Sequence, residues 1–146
     1  MNVRFKRLPH NHDLPLPARA SEGAVGYDVR SADADLDLEP GEIRLVATGW
    51  VVELPMGVEC QVRPRSGLAL KHGITLPNSP ATIDPDYRGE LKVILQNLGP
   101  ESVRIERGTR IAQLVFKKFE IPDVVEADEL SSTERGEGGF GSTGSD

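Results

Sequence analysis

Short β-type runs separated by turn residues are the feature that most constrains how this chain folds. Around Cys60 and Val103 these runs alternate apolar with polar side chains, as strands with one buried face do. The runs cover residues 3–7, 25–30, 43–46, 49–54, 58–63, 91–96, 103–105 and 111–119. With 15 Gly and 11 Pro among 146 residues, the chain is too rich in turn residues for long helices or coiled coils. The pattern predicts an all-β sandwich, barrel or jelly roll with a single core.

Two segments depart from the strand pattern. Residues 66–73 offer Ser66 as an N-cap, a run of helix formers and the terminating Gly73, which predicts one short helix. Residues 131–146 contain five Gly, four Ser, two Thr and one hydrophobic residue, Phe140, so they lack the side chains to form a core. We therefore expect a β domain over residues 1–130 and a mobile tail over residues 131–146.

The chain carries no signal for a membrane or for secretion. No apolar run approaches the roughly 18 residues that span a bilayer, and the basic start of the chain leads into residues 8–13, which are not an apolar signal core. Cys60 is the only cysteine, which excludes an intramolecular disulfide and a thiolate-rich metal site and favours a small core residue. We expect a soluble, cytoplasmic protein with no membrane partner.

The charge is unevenly distributed. The net charge is −6, yet residues 61–118 hold ten Lys and Arg against five Asp and Glu, while the remainder holds seven against eighteen. A basic centre on an acidic protein suits a small, highly charged anion better than a nucleic acid, which would meet the acidic remainder. Scattered charges on solvated strand faces explain the same counts equally well.

Residues 64–67 form the first candidate site. They place Arg65 and the Ser66 hydroxyl at the start of the predicted helix, where unpaired backbone N–H groups favour an anion. Plain helix capping, with Arg65 in solvent, is the commoner meaning of so short a motif.

Residues 78–90 form the second candidate site. Asp84 and Asp86 flank a proline as in an ordinary charged turn, but Ile83 and Tyr87 would also give Asp84 a semi-apolar pocket in which to act as a general base. Both interpretations stay open at this level. Gln113 lies inside an apolar run, so it is either a structural bridge, which is the commoner case, or a ligand contact.

Residues 135–144 are rich in glycine and hydroxyl groups, as phosphate-cradling loops are. The segment lacks the Gly-Lys-Ser/Thr ending and the strand-to-helix context of a P-loop, so it is not a Walker motif. A disordered linker is the alternative, although linkers seldom need a solitary Arg135 and Phe140.

Taken in order, five segments resemble the five motifs of the trimeric dUTPases, the deoxyuridine triphosphate nucleotidohydrolases. The segments are residues 24–29, 64–67, 78–90, 107–116 and 135–144. The resemblance implies a distorted jelly-roll subunit with one short helix, a homotrimer with active sites at subunit interfaces, and Mg²⁺-assisted hydrolysis of dUTP to dUMP and pyrophosphate.

The resemblance also implies roles for residues of the nucleoside site. Asp84 matches the acid that binds the deoxyribose 3′-hydroxyl and activates the water attacking the α-phosphorus. Tyr87 matches the ring that packs under the deoxyribose and excludes a 2′-hydroxyl. Asn78, with the backbone around Thr82 and Ile83, matches the hairpin that reads uracil.

Further roles concern the triphosphate and the tail. Asp28 matches the carboxylate that holds Mg²⁺ through water, and the resemblance also implies that Lys92 lies beside the substrate. Arg135 matches a γ-phosphate clamp and Phe140 an aromatic lid over uracil, donated by the tail of another subunit together with Gly141 and Ser142. The matching phosphate contacts are Arg65, Ser66, Gly67 and Gln113.

Two positions depart from the family pattern, and two other functions compete with this one. Ala81 stands where glycine is usual, so its methyl group would either shift the hairpin or slightly narrow the uracil pocket; Thr109 replaces the commoner aspartate of the fourth motif, which we interpret as surface variation. A dCTP deaminase-like enzyme of the same fold would read cytosine instead. A non-catalytic nucleotide-binding regulator would have no need of a general base.

Overall fold

The computed structural model describes residues 1–139, and these form eleven strands and one short helix. The helix α1 (Ser66–His72) follows the sixth strand. The strands are β1 (Arg4–Arg7), β2 (Ala18–Arg19), β3 (Tyr27–Arg30), β4 (Leu36–Leu38), β5 (Ile43–Glu53), β6 (Val58–Arg63), β7 (Ile74–Thr75), β8 (Ala81–Ile83), β9 (Glu90–Asn97), β10 (Val103–Ile105) and β11 (Arg110–Lys118).

Two main sheets share one apolar core. Their strand orders are β1-β5-β9-β7 and β2-β3-β11-β6-β8, and β10 pairs separately with β4. The alternate side chains of β9 that face inward, including Leu91 and Leu95, are buried in one cluster with Val62 of β6 and Leu114 of β11. Cys60 belongs to the same cluster, and burial raises the pKa of its thiol to about 12. The predicted all-β jelly roll is confirmed.

The strand β5 shows why two predicted runs are one element. Residues 43–53 form a single strand whose register with β9 shifts between Ala47 and Val51. Gly49 takes a left-handed φ of 69° inside this bulge, which interrupts the alternation that sequence patterns detect. The strands β2, β4, β7 and β8 span only two or three residues each and were not predicted, whereas β10, also of three residues, lies within the alternating run 102–106.

The predicted helix is present, but its predicted cap is wrong. Arg65, with φ −94° and ψ 128°, holds the N-cap position without a side-chain cap bond, and Ser66 is the first helical residue. The terminating glycine is confirmed, since Gly73 has a φ of 69° and its N–H bonds back to Ala69.

Beyond β11, residues 119–139 contain no strand or helix and are almost entirely exposed. The domain boundary at residue 130 stays a prediction. In the part of the chain that the structure describes, no helix is long and apolar enough to cross a membrane.

Candidate active site

Three neighbouring strands align polar side chains on one face of the larger sheet. Gln113 of β11 lies directly opposite Asp28 of β3 on one side and Arg63 of β6 on the other. Directly paired residues point to the same face, so these three side chains project together, while Val29 and Leu114, next along the strands, turn into the core. Strand register, not sequence proximity, brings the three together.

This face opens into a cavity of about 320 Å³, here called the Asp28 cavity. Five of the residues predicted to contact phosphates or metal lie in its wall, although they come from β3, the 64–67 segment and β11. The lining residues are Ala20, Ala24, Val25, Gly26, Asp28, Arg65, Ser66, Gly67 and Gln113.

Two guanidinium groups hold the Asp28 carboxylate. Arg65 Nε donates to Asp28 Oδ1 at 3.0 Å, and Arg110 Nη1 donates to Asp28 Oδ2 at 2.9 Å. A second Arg65 nitrogen donates to the Arg110 carbonyl oxygen at 3.2 Å, which ties the arginines to each other. One carboxylate between two guanidiniums leaves a positive balance suited to an anion. Sequence reasoning missed Arg110, although its place at the end of the basic turn leading into β11 was a usable signal.

Gln113 forms a structural bridge, one of the two roles that the sequence left open. Its Nε2 donates to the Pro64 carbonyl oxygen at 2.9 Å, which fastens β11 to the segment that carries Arg65. Its Oε1 lies so close to Gly26 that a Cβ built there would approach it to 2.1 Å. Glycine at position 26 therefore makes room for the amide, and Gln113 both bridges the backbone and lines the cavity.

A second cavity, of about 460 Å³, is here called the Asp84 cavity. The strand β8 pairs with β6, with Ala81 opposite Val62, so the 78–84 segment forms one wall, and β5 and β9 form the other. Ala81 fits this register and lines the cavity. The lining residues are Leu45, Val62, Asn78, Ala81, Thr82, Ile83, Asp84, Tyr87, Glu90, Lys92 and Ile94.

The turn that carries Asp84 also fixes Tyr87. The Tyr87 N–H donates to the Asp84 carbonyl oxygen at 3.2 Å, and the Tyr87 hydroxyl donates to the Glu90 carbonyl oxygen at 3.0 Å. A Cβ at Gly89 would lie 2.2 Å from that hydroxyl, so the ring depends on the glycine. The segment is thus a tight turn and a cavity wall at once, with apolar side chains beside a carboxylate.

The two cavities are separate. Within residues 1–139, no lining residue is common to both of them. Arg135 lines neither, and its Nε donates to the Gly138 carbonyl oxygen at 2.7 Å. The remaining predicted site residues, Phe140, Gly141 and Ser142, lie outside the described residues.

A larger cavity of about 810 Å³, between α1 and residues 99–105, contains none of the predicted site residues. Its one arginine, Arg104, is already paired with Asp35 and Asp37. Cavity size alone is therefore a poor guide to the active site, and the convergent polar groups favour the two smaller cavities as the candidate site.

Comparison with known proteins agrees with these motifs. The family model described as dUTPase matches residues 12–144. The chain belongs to the dUTPase family. A deoxyuridine 5′-triphosphate nucleotidohydrolase from a Thermoanaerobacter species is 54% identical over 97% of both chains, and one from Rhizobium etli is 57% identical over 94% of this chain and 90% of its own. The solved dUTPase of Staphylococcus bacteriophage 80alpha, with dUpNHpp, has a TM-score of 0.88 and 29% identity over 99% of both chains.

The Asp28 cavity of this dUTPase-family chain fits a magnesium ion that arrives with a nucleotide. Among the described residues no three His, Cys, Asp or Glu side chains cluster as a self-sufficient metal site. Mg²⁺ prefers oxygen ligands, keeps several waters, and commonly takes one or two carboxylates together with substrate phosphates. Both Asp28 oxygens already accept bonds from arginines, so contact through water suits this carboxylate better than direct ligation.

Proposed function

We propose that this protein hydrolyses dUTP to dUMP and pyrophosphate by attack of water on the α-phosphorus. The observation that carries the proposal is the Asp84 cavity, where a carboxylate, a fixed tyrosine ring and a strand-held segment line one space. The named relatives are deoxyuridine 5′-triphosphate nucleotidohydrolases, and the phage enzyme was solved with dUpNHpp. These names favour dUTP hydrolysis over deamination of dCTP and over a silent binder.

Asp84 is the general base in this proposal. The carboxylate accepts a proton from water while the water oxygen forms a bond to the α-phosphorus, and the bond from that phosphorus to the bridging oxygen breaks. The electron pair of the broken bond leaves with pyrophosphate. Leu45, Ile83 and Ile94 line the same cavity and limit the water that competes for the carboxylate.

The other residues of the Asp84 cavity select the nucleoside. Tyr87 packs against the deoxyribose, and because its hydroxyl is held by the Glu90 carbonyl, the ring leaves no space for a 2′-hydroxyl. Asn78 and the backbone at Thr82 and Ile83 read uracil. Lys92 places its positive charge beside the phosphates.

The Asp28 cavity binds the triphosphate. Arg65, Ser66, Gly67 and Gln113 contact phosphate oxygens, and we assign the charge preference to Arg65 and Arg110 because a helix of seven residues has a weak dipole. Asp28 holds Mg²⁺ through water. When bound, the ion offsets phosphate charge and orients the triphosphate.

The separation of the two cavities supports a site shared between copies of the chain. In this proposal one copy supplies its Asp84 cavity and another its Asp28 cavity, in the homotrimer with three interface sites that the family resemblance implies. The tail closes each site, with Arg135 on the γ-phosphate and Phe140, Gly141 and Ser142 over the nucleotide. The cytoplasmic location stays a prediction, which cell fractionation with a specific antibody checks.

Replacing Asp84 with asparagine tests the reaction. Asp84→Asn keeps the shape of the side chain but loses the proton acceptor, so pyrophosphate release from dUTP should fall roughly 10²–10⁴-fold while dUTP still binds. Asp86→Asn, in the same turn but outside the cavity lining, is the matched control and should stay near wild type. Release should be negligible from dCTP and UTP. Near-normal turnover by a folded Asp84→Asn variant would contradict the assignment.

Subunit exchange tests the shared site and the tail. A chain truncated after residue 134 should keep its fold but lose most turnover, because the lid is absent. Mixing it with Asp84→Asn chains should restore part of the activity, since hybrid assemblies pair an intact base with an intact tail. Exchange confirmed by mass spectrometry with no recovered activity would refute the donation in trans.

A further inference from the structure

Glu90 is tied to four partners at the rim of the Asp84 cavity. Its carbonyl oxygen accepts the Tyr87 hydroxyl at 3.0 Å, and its Oε1 accepts the Gly49 N–H at 2.9 Å. The same Oε1 lies 2.7 Å from His10 Nε2, and Oε2 lies 3.7 Å from Lys92 Nζ. The Glu90 side chain is only 14% exposed, whereas His10 and Lys92, at 46% and 44%, reach it from the surface.

The bulge in β5 explains why a carboxylate is needed at this position. Glu90 lies opposite Val51, where the register resumes after the shift, and the left-handed Gly49 turns its N–H toward the Glu90 side chain. The side chain therefore replaces a ladder hydrogen bond that the bulge breaks. Asn11 clamps the opposite side of the bulge by donating to the Thr48 carbonyl oxygen at 3.2 Å.

His10 reaches Glu90 from a loop that is anchored independently. Arg107 donates to the His10 carbonyl oxygen at 3.0 Å, and Arg7 donates to the Asn11 carbonyl oxygen at 2.9 Å. The loop therefore places the His10 ring without help from Glu90, and the ring in turn restrains the carboxylate.

We propose that Glu90 is a positioning residue that sets sugar discrimination through Tyr87, and that His10 holds the Glu90 carboxylate in place. This inference rests on the proposed dUTP hydrolysis. The carboxylate anchors the first residue of β9 to the bulge, and the carbonyl of that residue holds the Tyr87 hydroxyl. Loosening the anchor lets the ring move and opens space at C2′, so a ribose is rejected less strongly.

The test measures kcat/KM for dUTP and UTP in wild type and in variants of Glu90. Absence of dUTP hydrolysis in wild type would refute the proposed function and not this inference alone. Given activity, Glu90→Ala should lower the dUTP/UTP ratio about three- to tenfold, the size of one lost hydrogen bond. Glu90→Gln keeps an acceptor for the Gly49 N–H and should recover part of the ratio. Glu59→Gln, on β6 with Gln61 as its partner, is the control and should leave the ratio unchanged.

A double-mutant cycle separates positioning from loss of stability. Tyr87→Phe removes the hydroxyl, so in that background Glu90→Ala should change the ratio much less than in wild type. If the two effects simply add, or if folded Glu90→Ala keeps the wild-type ratio, the proposal is overturned.

His10 provides a test that does not depend on a buried group. It is half-exposed, so His10→Ala should fold even if Glu90→Ala does not. We expect the dUTP/UTP ratio of His10→Ala to fall by about twofold or more, with thermal stability little changed. An unchanged ratio would remove His10 from the proposal.

Discussion

The close approach of Gly26 to Gln113 gives the sharpest prediction. A Cβ at position 26 would lie 2.1 Å from Gln113 Oε1 and 3.1 Å from both Cβ and Cδ of the same side chain. Ordinary van der Waals contact begins at about 3.4 Å, so Gly26→Ala requires the amide to move by roughly 1 Å or more. The φ at Gly26 is not in the left-handed region, so the cost comes from the contact and not from backbone strain.

Two consequences of that movement are measurable. The bond from Gln113 Nε2 to the Pro64 carbonyl breaks, which should lower the free energy of unfolding by about 1 kcal/mol. The displaced amide also leaves its place in the Asp28 cavity. If Gln113 contacts a phosphate oxygen, the loss of a hydrogen bond to a charged group, about 1.5–3 kcal/mol, lowers kcat/KM for dUTP about 10- to 100-fold.

Pyrophosphate release and urea unfolding, measured on the same preparations, check both numbers. Gly23→Ala is the matched control, because no described atom lies within 4 Å of a Cβ built there. Gln113→Ala removes the amide that the new methyl group would strike. Adding Gly26→Ala to Gln113→Ala should therefore lower kcat/KM and the free energy of unfolding little further. Wild-type kcat/KM in Gly26→Ala, or a full additional loss in the double variant, would refute the steric argument.

Two further predictions concern stability. Gly73→Ala and Gly57→Ala both place a Cβ on left-handed backbone. The Cβ at position 73 would lie 2.5 Å from the backbone nitrogen of Gly99, whereas no described atom lies within 4 Å of the Cβ at position 57. Gly73→Ala should therefore lower the thermal midpoint clearly more than Gly57→Ala. The backbone N–H of Arg107 lowers the pKa of Asp35 below its usual 3.8, so its stabilising effect is present above that value and is lost as the pH falls through the lowered pKa. Asp35→Asn should therefore be less stable than wild type at pH 7, and the difference in urea midpoint should shrink on acidification toward pH 3; a constant difference would contradict this.

Sequence reasoning located the elements that have their own period or composition. Residues 58–63 and 103–105 were predicted to the residue, because each run alternates cleanly and ends at turn residues. The bulge at Gly49 could not be predicted from the sequence, because Glu90, which accepts the Gly49 N–H, is distant in sequence and contacts it only in the folded sheet. Ser66 was misplaced by one position because a cap depends on backbone angles that composition does not reveal.

The candidate site was predicted as a set of residues but not as an arrangement. The family resemblance named eleven residues that the structure places in two cavities, yet nothing in the order of the motifs shows that Asp28 and Asp84 lie apart. The separation results from strand pairing. Asp28 of β3 lies opposite Gln113 of β11, which pairs with one edge of β6, whereas Asp84 follows β8, which pairs with the other edge of β6. Arg110 was missed for a related reason, as its partner is chosen by strand pairing.

The same geometry supports different tasks for Asp28 and Asp84 in the proposed reaction. Each oxygen of Asp28 already accepts a bond from a guanidinium, so the proposal gives this carboxylate the task of holding charge, including that of a metal ion through water. The described structure shows no hydrogen bond to the Asp84 side chain; only its backbone carbonyl is engaged, by Tyr87. Its oxygens are therefore available inside a cavity whose walls include the apolar side chains of Leu45, Ile83 and Ile94. Glu90 lines the same cavity, but its carboxylate is already bonded to the Gly49 N–H and to His10, so Asp84 is the acceptor that we assign to the proton of the attacking water in the proposed reaction.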